Sequence, residues 1–162
     1  AKIVPSVERI VLDLPEIQSM DAQAVLEAKL DAAHKAMPDK TLAVEDVTYS
    51  IKGLNGLPGT LIKWFIESIG PEGIYDLVKD KDTATVVSAN IGLVMPDGAK
   101  QYFAGTVHGK TVAPGAGEGY HFDTIFIPDG QALRYSEMSV DEKNAISHRR
   151  LAWDKLRSAI EI

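Results

Sequence analysis

The chain has 162 residues, 45% hydrophobic and 25% charged, with a formal net charge of −6 and no cysteine. This length and balance fit one globular domain, residues 1–162, large enough to bury a real core. Disulfides, thiolate metal sites and cysteine nucleophiles are excluded, and the acidic charge argues against non-specific nucleic-acid binding, which needs a basic surface.

Arg9 to Leu14 (RIVLDL) alternates as a strand does and stops at Pro15. Asp21 then caps an expected helix, DAQAVLEAKLDAAHKAM, with Val25, Leu26, Lys29, Leu30 and Ala33 at helical spacing. Thr41 to Val44 reads as a short apolar strand ending in Glu45 and Asp46, and Thr48 to Ile51 follows it. GLNGLPGT is a glycine-rich loop with Pro58 placed to open the next helix, whose stripe is Leu61, Ile62, Phe65, Ile66 and Ile69. Gly70-Pro71 ends that helix and starts a short one, Glu72 to Val78. Thr83 to Val94 and Gln101 to Val107 read as strands joined by a turn at Pro96-Asp97-Gly98. The loop PGAGEG leads into YHFDTIFIP, read as a strand, and then into the final helix. The order implies an α/β chain with a mixed sheet. The longest apolar run, Val86 to Met95, contains Ser88 and Asn90 and is too short to span a membrane. The opening AKIVPSVERIVLDLPE lacks the charged-then-apolar pattern of a secretory leader, so the expected compartment is the cytoplasm.

Three stretches carry chemistry. SVDEKNAISHRRLAWDKL gathers Lys143, Ser147, His148, Arg149 and Arg150 within two turns, behind a capping box of Ser139 and Glu142. Cations and hydroxyls near a helix start suit an anionic or oxygen-rich ligand, and a solvated basic face is the plain alternative. Glu45 and Asp46 at a strand end suit Mg²⁺, although strand neighbours point to opposite faces, and a turn salt bridge explains them equally. Tyr120, Phe122 and Asp123 resemble a nucleobase site, with rings to stack and a carboxylate to read a polar edge, or else a strand with its aromatics in the core. PGAGEG lacks the lysine and Ser/Thr of a P-loop, and His34 and His108 carry no evident chemistry.

Taken in order, LDLPEIQ, EAK, VED, NGLPG with IKWF, GKTVAPGAGEG, YHFDTIFIP and EMSVDEKNAISHRR resemble the inosine triphosphate pyrophosphatase family. The resemblance runs from about Leu12 to Leu156, and the spacings EMSxxEKNxxSHR and LNGLPGxxIKWF are its most specific parts. It implies an elongated mixed central sheet flanked by helices in two lobes, a cleft between them, and a homodimer. It implies hydrolysis of non-standard purine nucleoside triphosphates (ITP, dITP, XTP) to the monophosphate and pyrophosphate, with no nucleic-acid or membrane partner. By resemblance, Glu16 and Asp46 hold Mg²⁺, Asp46 and Glu45 serve catalysis, and Lys29 contacts the triphosphate. Tyr120, Phe122 and Asp123 then line the base pocket, with Lys143, Ser147, His148 and Arg149 as its far wall.

The chain departs from the family in three places. The family opens with a strand, a Thr-Gly-Asn turn and a lysine that cradle phosphates; this sequence begins after that point, which is expected either of a chain given without its start or of one that has lost the strand. His121 and Thr124 stand where the family has Gly and Pro, and Gly115-Ala116 replaces Arg-Gly. Two further readings follow: a catalytically impaired nucleotide-binding relative, or a related pyrophosphatase for other modified nucleotides.

Overall fold

The computed structural model describes residues 7–117 and 121–160. Its sheet has five strands: β1 (Leu42–Ile51), β2 (Pro58–Gly59), β3 (Ala84–Val94), β4 (Lys100–Thr111) and β5 (Phe126–Pro128), in the order β2-β1-β3-β4-β5. Four α-helices accompany it: α1 (Ala22–Ala36), α2 (Ile62–Val78), α3 (Val140–Ile146) and α4 (His148–Ile160). The α/β class holds. Every pairing among the described strands is antiparallel, so the parallel component of a mixed sheet is not found among them.

The register sorts side chains onto two faces, because strand residues alternate. Val47 pairs with Ala89 and Tyr49 with Val87, which places the odd positions of β1 and β3 on one face. Ala152 and Leu156 of α4 pack there on Ala89, Ile91 and Leu93. Farther along the same face, Tyr49, Ile51 and Val87 meet Ile62, Ile74 and Val78 of α2 together with Phe122, Phe126 and Tyr135. The opposite face carries Leu42, Val44 and Val94, covered by Leu26, Leu30 and Ala33 of α1. Asp21 starts α1 as expected, its carboxylate accepting from the Gln23 N–H at 2.9 Å.

Several local expectations are corrected. Residues 9–14 form no strand, since no described strand pairs with them; Leu12 and Leu14 instead pack beside the α1 cluster. The two short strands expected around Glu45 are one, because Glu45 to Thr48 continue the ladder with β3. Pro58 opens no helix: it pairs with Ser50, and α2 starts at Ile62. Gly70 interrupts α2 at φ 68, as Gly70-Pro71 foretold, but the buried positions are Ile62, Ile74 and Val78, while Ile69 is 43% exposed. YHFDTIFIP yields a 3-10 turn at Asp123–Ile125 and three residues of β5. The final helix breaks at Ser147, whose ψ of 147 is extended.

One feature positions the cleft. β2 meets β1 only at Tyr49 and Ser50, so from Leu42 to Thr48 the outer side of β1 has no partner among the described strands.

Candidate active site

Asp46 and Glu45 are neighbours on β1 and therefore point to opposite faces. Asp46 turns toward α1, where Lys29 Nζ donates to Oδ1 at 2.7 Å. Its Oδ2 is buried without a partner among the described residues. Burial raises the Asp46 pKa above the ordinary carboxylate value, further raised by the charges of Glu16 and Glu45, although Lys29 opposes the shift. Glu45 turns toward α4, accepting from Arg149 Nε at 2.7 Å and from Trp153 Nε1 at 2.9 Å. Both acids nevertheless line one cavity of about 430 Å³, which wraps around the open side of β1.

The second wall is built by the capping chemistry of the last two helices. Ser139 and Glu142 form the expected capping box of α3. Ser147 then ends α3 and receives the Arg150 N–H on its Oγ at 3.1 Å, so it serves as the starting cap of α4. This break lets the chain turn and lays His148, only 6% exposed, against the rings of Phe122 and Tyr135, each 5.9 Å away between centroids. Phe122 packs in turn on Tyr49, the two rings tilted by 41° with centroids 4.7 Å apart. Burial, with Arg149 and Lys143 adding repulsion, pushes the His148 pKa down to about 3, so the imidazole is neutral at pH 7. Its Nδ1 has no partner among the described residues. Asp123 is 3% exposed and ion-paired with Lys143, whose ammonium also lies 5.2 Å from the Tyr135 ring centre.

The start of α2 supplies a third wall: Thr60, Lys63 and Trp64 line the same cavity. Lys63 donates to Glu16 at 3.0 Å, drawing the loop before α1 onto the cleft.

Of the residues singled out from sequence, Glu16, Glu45, Asp46, Phe122, Asp123, Lys143, Ser147, His148 and Arg149 all line this cavity. Lys29 adjoins it through Asp46. Tyr120 lies outside the described residues. The expectation that the acids end a strand is corrected: they sit in mid-ladder, opposite Ile91 and Asn90. Sequence reasoning missed Thr60, Lys63, Trp64 and Asn144 as lining residues. Lys63 and Trp64 stood inside the IKWF run, but the apolar helical period drew attention to its other positions. Tyr135 was also missed; its buried hydroxyl lies near the His148 backbone N–H, short of hydrogen-bond geometry.

Comparisons with known proteins agree with this architecture. The Ham1 family model matches residues 2–159. An inosine triphosphate pyrophosphatase of Schizosaccharomyces pombe is 39% identical over 151 residues, covering 92% of this chain and 79% of that protein. A dITP/XTP pyrophosphatase of Methanopyrus kandleri is 35% identical over 154 residues, covering 92% of this chain and 80% of that protein. Among solved structures, the Ham1 protein of Staphylococcus aureus superimposes with a TM-score of 0.78 at 26% identity, covering 93% of this chain and 81% of that one. A family match over nearly the whole chain, joined to relatives of this identity and coverage, places it: the chain belongs to the Ham1 family.

Proposed function

We propose that this protein hydrolyses non-standard purine nucleoside triphosphates, namely ITP, dITP and XTP, to the nucleoside monophosphate and pyrophosphate. The observation that carries the reading is the convergence of the Asp46 carboxylate and the His148 imidazole on one cavity, although they come from a strand and a helix. The names of the relatives point the same way.

Each wall has a part in the chemistry. Water attacks the α-phosphorus and pyrophosphate leaves. Asp46, held through Oδ1 by Lys29, keeps Oδ2 for orienting that water, and its raised pKa makes it the better proton acceptor. Lys63 and Lys29 place positive charge at this end of the cleft, where the polyphosphate lies. At the other end Phe122 and His148 line the cavity, with Tyr135 packed behind the imidazole, giving an aromatic wall with a neutral imidazole donor for a 6-oxo purine. A 6-amino purine leaves a buried donor unmet, which costs about 1–3 kcal/mol.

The acids also suit Mg²⁺. Glu16 and Glu45 crowd negative charge around Asp46, and Asp46 Oδ2 has no partner among the described residues. Among the described residues no three acidic or histidine side chains form a cage, which fits an ion held by one or two carboxylates and by substrate phosphates. Asp46 and Glu16 are the residues that would hold it, and the bound ion would neutralise charge on the leaving pyrophosphate.

A homodimer in the cytoplasm belongs to the same reading. It is supported by exposed apolar side chains beside the cleft, among them Trp64 at 50% and Met20 at 51%, and is checked by light scattering on the eluted protein. No helix of the described residues is long and apolar enough to cross a membrane.

The deciding experiment is pyrophosphate release with Mg²⁺ from ITP, dITP and XTP against ATP and GTP. Preference for the first three supports the reading. Absence of turnover while ITP still raises thermal stability marks a binding relative, and turnover confined to other modified nucleotides marks a different substrate class.

A further inference from the structure

His121 holds a backbone conformation that side chains seldom adopt. Its φ is 56, in the left-handed region where glycine is at ease and a bulkier residue is strained. Such strain persists where the surroundings over-determine it, and it gathers at ligand-contacting positions. The imidazole lines the cavity. It lies in the field of Lys63 and Glu67 from α2, and of Asp123 and Arg149 from the opposite wall. Burial lowers its pKa below the ordinary histidine value, so at neutral pH the ring is uncharged and has one donor and one acceptor nitrogen.

The cavity has two chemically distinct ends. Asp46 and Glu16, with their lysines, mark one, and Phe122, Lys143 and His148 mark the other. His121 lines the same cavity, feels the charge of Lys63 and directly precedes Phe122 in the chain. A nucleotide with its phosphates at the first end and its base at the second passes its sugar across this point. We propose that His121 is a specificity-determining residue that contacts the sugar of the substrate and sets a preference for ribonucleotides over deoxyribonucleotides. The inference rests on the nucleotide reading above. A 2′-hydroxyl supplies both a donor and an acceptor to meet an imidazole, and a 2′-deoxy sugar cannot make that contact.

The test compares ITP with dITP in the unaltered chain, in His121→Gly and in His121→Asn. Glycine suits the left-handed backbone, so the first variant keeps its fold; asparagine tolerates the same backbone and retains a polar head. The ratio of kcat/KM for ITP over dITP is expected to fall by about three- to tenfold in His121→Gly, the size of one lost hydrogen bond, and to recover in part in His121→Asn. The same ratio is read from dissociation constants of the α,β-methylene analogues of the two nucleotides, which need no turnover. An unaltered chain that treats both sugars alike, or a ratio unmoved by His121→Gly in turnover and in binding, overturns the proposal. Absence of pyrophosphate release from every inosine or xanthosine nucleotide sinks the hydrolase reading instead, while the analogue ratio still decides the role of His121.

Discussion

At the scale of single residues, the two neighbouring acids of β1 separate in their partners. Asp46 has one oxygen on Lys29 and one without a partner among the described residues, whereas both oxygens of Glu45 are engaged by α4. Asp46→Asn keeps the shape and removes the proposed proton acceptor, so kcat for ITP is expected to fall by about a hundredfold or more. Binding of the α,β-methylene analogue, measured alongside, should change far less; full activity in this variant would exclude the assignment. Glu45→Gln behaves differently. It weakens the hold on Arg149 and Trp153 without touching the attacking water, so steady-state kinetics should show a raised KM with kcat within a few-fold of the parent. A loss of kcat equal to that of Asp46→Asn would instead support the catalytic role that the resemblance implies for Glu45.

At the scale of elements, the site depends on how closely α4 approaches the sheet. Gly105 of β4 makes this possible: a Cβ there would lie 2.0 Å from the His148 carbonyl oxygen and 2.4 Å from the Ala152 nitrogen. These contacts are backbone, so no side chain can swing away to relieve them. Gly105→Ala is expected to lower stability by roughly 1–3 kcal/mol in denaturant unfolding, the cost of overpacking. It should also raise KM for ITP, because His148 moves with the helix it begins. Unchanged stability would show that α4 rides more loosely than the contacts imply. The break at Ser147 belongs to the same scale, since one uninterrupted helix would carry His148 and Arg149 in a different direction from the one the cleft requires.

At the scale of the whole molecule, the buried neutral His148 links stability to acidity. Its folded pKa of about 3 lies below the ordinary histidine value of 6.5. Between those limits the unfolded chain binds a proton that the folded one refuses, so stability is complete above pH 6.5 and falls as pH drops toward 3. The slope from this group is at most about 1.4 kcal/mol per pH unit. Urea unfolding from pH 7 to 4 should therefore show a shallower loss in His148→Gln than in the parent. Parallel curves would mean that the imidazole is solvated and protonates freely in the folded state.

The sequence by itself determined the features that depend on neighbours in the chain. The Asp21 and Ser139 caps, the Pro96-Asp97-Gly98 turn between β3 and β4 and the kink at Gly70-Pro71 are local chemistry, and each was legible. Most of the cavity lining was legible too, because the stretches around Asp46, Phe122 and His148 carry residue types unusual for their surroundings. Only the tertiary structure decided the rest. Whether residues 9–14 become a strand depends on a partner elsewhere, and periodicity carries no record of one. That Glu45 and Asp46, pointing to opposite faces, reach one cleft follows from the outer side of β1 lacking a partner beside them among the described strands, a property of the sheet and not of the residues. The share of Lys63 and Trp64 in that cleft likewise emerged only once α2 was laid across it, since a helix has the same period whichever side meets a ligand.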